Sequence, residues 1–205
     1  LCVQHQAKLV FVSTEYVFDG ERGPYLEDDI PQPNTHYGQT KWEAEQLVSK
    51  ISIPWSILRT SIVYGWPPAG HRNYVPLLIE RLRKGSPFNG QTDVYRTPIY
   101  ADHLAAGIVE LVAEDYSGVH HVAGLEMVSM YQLASAVAKE FHLDRNLIVP
   151  TLEHSGISVD PEVLENDETH SISDRRGLDC TRTMKHLVMS QPNLAQALAE
   201  MRAAG

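Results

Sequence analysis

The sequence predicts an α/β fold of the doubly wound kind, with parallel strands covered by helices on both faces. Three observations predict it. Lys8-Leu9-Val10-Phe11-Val12-Ser13 is a short, nearly continuous apolar run, Trp55-Ser56-Ile57-Leu58-Arg59-Thr60 is a second one entered through Pro54, and strand-like and helix-like stretches alternate along much of the remaining chain. A strand covered on both faces has no need to alternate polar and apolar side chains, so such runs suit the middle of a parallel sheet.

The elements follow in order. Residues 37–50 contain the good helix formers Lys41, Glu43, Ala44, Glu45, Gln46 and Leu47. After a loop with Gly65, Pro67, Pro68 and Gly70, residues 73–84 read as a helix, and so do residues 101–113. Gly118 to Val122 reads as a strand, and residues 130–141 as a helix with Leu133, Val137 and Phe141 apolar. Residues 151–176 carry Glu153, Asp160, Glu162, Glu165, Asp167 and Glu168 with little periodicity, which predicts a surface loop or a mobile lid.

Composition narrows the function classes. A chain of 205 residues that is 43% hydrophobic can bury one full core, with room for a smaller lobe. With 17 basic and 26 acidic side chains and a formal charge of −9, it lacks the clustered cations that phosphate neutralisation requires, so no nucleic acid partner is expected. No apolar stretch approaches the roughly 20 residues that cross a bilayer, so no membrane partner is expected either. Cys2 and Cys180 make neither a disulfide framework nor a paired metal motif, which points to a reducing cytoplasm. Of the ten histidines, His120 and His121 are neighbours on a strand and point to opposite faces. No His-Glu-x-x-His spacing occurs, so no metal site is expected. Cys180 reads as structural, Trp66 as a cleft contact or a packing residue, and Asp102 as a complement to a helix dipole rather than a catalyst.

Chemistry enters at two places. The first strand runs into Thr14-Glu15-Tyr16-Val17-Phe18-Asp19-Gly20, and Tyr37-Gly38-Gln39-Thr40-Lys41 opens the following helix. A Tyr and a Lys four apart share one helical face, where the ammonium favours the phenolate. That suits a general acid/base exchanging a proton with an alcohol or ketone. Thr14, at the carboxyl end of a strand, is placed to hydrogen-bond the same oxygen, because open α/β sheets bind ligands there.

The series Ser13 to Gly20, Pro24 to Asp29, Pro33, Tyr37 to Lys41, Leu58 to Gly65, Arg96-Thr97-Pro98, Ala101 to Ala105, Gly118 to Gly124 and Leu178-Asp179 resembles the dTDP-4-dehydrorhamnose reductase family of extended short-chain dehydrogenase/reductases. The resemblance implies a Rossmann-like sheet whose glycine-rich N-terminal half either lies upstream of Leu1 or has been lost, and the first is expected because an open sheet edge at residue 8 would be an aggregation hazard. No glycine precedes Gly20, and roughly 80 to 100 residues of such a half-domain are expected before this chain. It divides the chain into residues 1–65, the remainder of the Rossmann-like domain, and residues 66–205, mainly a substrate-binding lobe. Segments around 97–124 return to the sheet. It implies Tyr37 as proton donor, Lys41 as holder of the cofactor ribose, Thr14 as orienting the substrate oxygen, and Thr60 at the nicotinamide end of the cofactor. Thr14 and Glu15 would contact the substrate, a nucleotide-linked sugar; the cofactor would be NADP or NAD, and a homodimer is left open. Glu15 stands where the family commonly has Asp and Ile62 where Trp is common, which leaves the sugar open. Two further readings stay beside reduction: a cofactor-binding regulatory module resembling the methionine adenosyltransferase beta subunit, and a sugar-nucleotide epimerase or dehydratase.

Overall fold

The computed structural model describes residues 1–68, 71, 73–114, 116–152, 173–188 and 191–205. A short helix α1 (Cys2–His5) leads into strand β1 (Leu9–Thr14), and α2 (His36–Val48) carries the chain to β2 (Trp55–Thr60). There follow β3 (Val63–Tyr64), α3 (Tyr74–Arg83), β4 (Phe88–Gln91), β5 (Val94–Arg96), β6 (Ile99–Tyr100) and α4 (Ala101–Ala113). The chain then runs through β7 (Gly118–His121), β8 (Val128–Ser129), α5 (Met130–Glu140), β9 (Ile148–Thr151), β10 (Asp174–Arg175), α6 (Thr181–Met184) and α7 (Leu194–Ala203).

Strands β1, β2 and β7 form a wholly parallel sheet in the order β1-β2-β7. Its register pairs Leu9 with Trp55 and ends by pairing Thr14 with Thr60. Alternation along β2 sends side chains to two covered faces. Leu58 joins Ile99, Leu104, Leu111, Val122 and Leu187 on the α4 side, while Arg59 meets Glu45 of α2 on the other. Lys8 ties the entry of β1 to the exit of α4, its ammonium donating to the carbonyls of Leu111, Glu114 and Tyr116. A cation at those unsatisfied carbonyls suits the negative end of the helix dipole.

A second core lies under the helices of the C-terminal part. Val75, Leu78, Ile79 and Leu82 of α3 bury against Leu133 and Val137 of α5, Leu198 and Met201 of α7, Phe88 of β4 and Ile148 of β9. There β4 pairs in parallel with β9, and β5 lies between β8 and β10.

The doubly wound α/β expectation agrees with this sheet. The region 151–176 differs from its reading as loop or lid at both ends: Thr151 closes β9, and Asp174–Arg175 pair with Val94–Tyr95. Residues 153–172, where most of that reading falls, lie outside the described residues. Strands β4 and β9 escape a sequence reading because Phe-Asn-Gly-Gln and Ile-Val-Pro-Thr lack any marked period. Helix α7 does carry a signal. Asn193 and Gln196 form a capping box, and Leu194, Ala197, Leu198 and Met201 follow the helical spacing.

Candidate active site

Two strand ends and one helix start build the site. Thr14 and Thr60 lie opposite each other at the carboxyl ends of β1 and β2, where the next peptide leaves the sheet. Thr14 Oγ1 accepts the backbone N–H of Tyr16 at 3.3 Å and so caps a single 3-10 turn, Glu15–Val17. That turn brings the ring of Tyr16 edge-on to the ring of Tyr37, with centroids 5.9 Å apart and planes at 74°. Thr14 and Tyr37 therefore flank the same residue. The hydroxyl of Thr60 is buried and has no hydrogen-bond partner among the described residues.

Helix α2 starts where it does because Thr35 caps it, its Oγ1 accepting the N–H of Gly38 at 3.0 Å. Tyr37 sits in the first turn and is 53% exposed, which leaves its ring accessible to a ligand. One turn on, the ammonium of Lys41 reaches β1, donating to the carbonyl of Val12 at 2.8 Å and lying 4.7 Å from the centroid of the Phe11 ring. Close approach of α2 depends on Gly38, where a Cβ would stand 2.0 Å from the carbonyl oxygen of Tyr16. Gly38→Ala is expected to push the head of α2 off that turn, costing about 1–3 kcal/mol, the usual range for overpacking. A urea-denaturation midpoint at the wild-type value would contradict this.

Glu15, expected beside a substrate, turns inward. It is 1% exposed, and its Oε1 lies 3.1 Å from Nε of Arg96. Arg96 also pairs with Asp174 at 2.7 Å, and Arg176 pairs with the same carboxylate. Both guanidiniums face the ring of Tyr16, at 5.5 and 4.9 Å from its centroid. Sequence reading missed this cage, since Asp174 and Arg176 lie some 80 residues from Arg96 and no spacing rule joins them. Burial pushes the Glu15 carboxyl up from 4.5 to about 8, against the opposing pull of Arg96. The folded state thus keeps a proton that the unfolded chain releases above 4.5. The stability it contributes is complete below that value and is lost as pH rises through about 8. Glu15→Gln is expected to flatten this loss, which runs at up to about 1.4 kcal/mol per pH unit. Urea midpoints on either side of the window check it, and equal pH dependence in both proteins would refute it.

Beneath the helix, Arg59 Nη2 meets Glu45 Oε2 at 2.7 Å, and the Ser13 hydroxyl donates to Glu45 Oε1. Burial pushes the Cys180 thiol up to about 12, which keeps it protonated and inert. Burial, helped by Arg59, pulls His121 down to about 4, and its Nδ1 faces the Asp179 carbonyl. No group of three metal-ligating side chains occurs among the described residues. Trp66 donates to the Met201 carbonyl at 2.8 Å and packs edge-on to Phe141, a structural position.

A parallel α/β sheet with threonines at paired strand ends, and a Tyr and Lys one turn apart at the head of the adjoining helix, is the arrangement that the resemblance to the class of extended short-chain dehydrogenase/reductases implies. Within that class the chain belongs to the dTDP-4-dehydrorhamnose reductase family, for the model of the RmlD substrate binding domain matches residues 1–163. It is similar to the spore coat polysaccharide biosynthesis protein SpsK of Bacillus subtilis (strain 168), 32% identical over 151 residues covering 73% of this chain and 52% of that protein. It is also similar to methionine adenosyltransferase 2 subunit beta of Danio rerio, 30% identical over 151 residues covering 71% of this chain and 47% of that one. The crystal structure of dTDP-4-dehydrorhamnose reductase from Bacillus anthracis in complex with NADP shares the fold. Its TM-score is 0.82 at 23% identity, and the match covers 97% of this chain and 66% of that chain. The chain spans about half the length of the curated relatives it matches.

Proposed function

We infer that this chain is the catalytic and substrate-side part of an NAD(P)H-dependent reductase acting on a keto group of a nucleotide-linked sugar. The observation that carries the reading is the in-register pair Thr14 and Thr60, with Tyr16, which Thr14 caps, lying edge-on to an exposed Tyr37 at the start of α2. The orphaned hydroxyl of Thr60 fits a polar group of a bound nicotinamide, and Lys41 fits the ribose beside it. When bound, the cofactor supplies the hydride. Tyr37 gives its phenolic proton to the carbonyl oxygen as the ketone becomes an alcohol, and Thr14 holds that oxygen by a hydrogen bond. Lys41 supplies positive charge on the phenol's side. Glu15 bears on the substrate from beneath, through Tyr16 and Arg96. Residues 66–205 supply most of the pocket for the sugar nucleotide, with the stretch around 97–124 returning to the sheet.

The test uses the full-length protein with reduced cofactor and a panel of dTDP- and UDP-linked keto-sugars, following loss of cofactor absorbance. Consumption with at least one sugar supports reduction. Tight nicotinamide binding with no turnover on any sugar would overturn it. That outcome would favour the second reading, a regulatory cofactor-binding module, which the similarity to methionine adenosyltransferase 2 subunit beta supports.

A further inference from the structure

We propose that Ser13, Glu45 and Arg59 are positioning residues that fix where α2 lies along β1 and β2, and thereby where Tyr37 and Lys41 stand relative to Thr14 and Thr60. Each stands next to a residue of the site: Ser13 precedes Thr14, Arg59 precedes Thr60, and Glu45 follows Lys41 by one helical turn. All three are at most 3% exposed. The Arg59 guanidinium grips the Glu45 carboxylate with two nitrogens, Nε at 3.0 Å from Oε1 and Nη2 at 2.7 Å from Oε2, while Ser13 takes up the remaining capacity of Oε1.

A buried ion pair is a poor device for stability alone, because desolvation offsets most of its attraction and apolar side chains would serve as well. Directional geometry is what it adds. A two-pronged guanidinium–carboxylate contact tolerates neither sliding nor rotation of the helix. The composition of α2 makes that the deciding property, since its only buried residues are Gly38 and Glu45. No fully buried apolar side chain locks the helix. The contact of Gly38 with Tyr16 and the grip on Glu45 bracket Lys41, which itself holds the Val12 carbonyl, while Trp42 adds a partly buried contact with the cluster of Val17 and Phe18.

The kinetic arm of the test rests on the proposed reduction; the spectroscopic arm does not. In the full-length protein, Ser13→Ala removes one hydrogen bond and leaves the ion pair in place. With ring-labelled tyrosine, and Tyr37→Phe to assign the signal, the Tyr37 resonance is expected to shift as its edge contact with Tyr16 changes. Glu45→Asp keeps the charge and shortens the arm by one methylene, and it is expected to shift the same signal. In turnover, both variants are expected to lose on the order of tenfold to a hundredfold in kcat, with KM and cofactor affinity held, as misplacement of a reacting group does. A wild-type Tyr37 resonance in both variants, with only the melting temperature lowered, would reduce the trio to a stability role. Should the wild-type protein turn over no sugar, the reductase reading fails while the Tyr37 resonance still decides this one. If Glu45→Asp does not fold, Ser13→Ala decides alone.

Discussion

Tyr37→Phe is expected to lower turnover of the full-length protein by at least about a hundredfold, the usual scale for losing a general acid, with little change in stability. The variant removes one oxygen and keeps the ring. Tyr37 is more than half exposed, so no buried hydroxyl is orphaned, and the edge-on contact with Tyr16 survives in phenylalanine. A drop in kcat with an unchanged melting temperature and unchanged cofactor binding is the expected pattern. Near-normal turnover in Tyr37→Phe would remove the acid from the scheme and with it the reductase reading.

Arg59→Met is expected to cost about 3–5 kcal/mol, the range for breaking a buried pair from one side. The loss leaves the Glu45 carboxylate buried with Ser13 as its remaining side-chain donor. It also removes the guanidinium from its place 5.1 Å from the centroid of the Phe18 ring. Arg59→Met combined with Glu45→Leu is expected to recover most of that stability, because two apolar side chains of similar volume owe nothing to desolvation. Urea denaturation of the single and double variants measures both numbers. A double variant no more stable than the single one would show that the cost lies in lost packing rather than in an uncompensated charge. Recovered stability without recovered turnover would separate the positioning role of the pair from its energetic one.

Local chemistry made much of the sheet legible in the sequence. The run at residues 55–60 is β2 to the residue, and the helix at 101–113 has the bounds its periodicity indicated. Thr14, Tyr37 and Lys41 could be proposed as a group from the sequence because a strand end and an i, i+4 pair are short-range patterns. Glu15 was legible as a neighbour of the site but not in its orientation. Its direction is set by Arg96, Asp174 and Arg176, which the fold brings from more than 80 residues away. The Ser13–Glu45–Arg59 contact was hidden for a similar reason: an arginine inside an apolar run gives no sign of where its partner lies. Strands β4 and β9 pair with each other across 60 residues, and a four-residue strand holding Gly or Pro has no period to read.

The pairing of Thr14 with Thr60 constrains how such a protein can change length over evolution. Each hydroxyl is placed by counting residues out along its own strand, and successive residues face opposite sides. One residue gained or lost between positions 9 and 14, or between 55 and 60, would turn a threonine to the wrong face and misalign every rung after it. Insertions are tolerable only in the connections outside the ladder. New substrate preferences in relatives are therefore to be sought in loops of unequal size around an invariant count of strand residues.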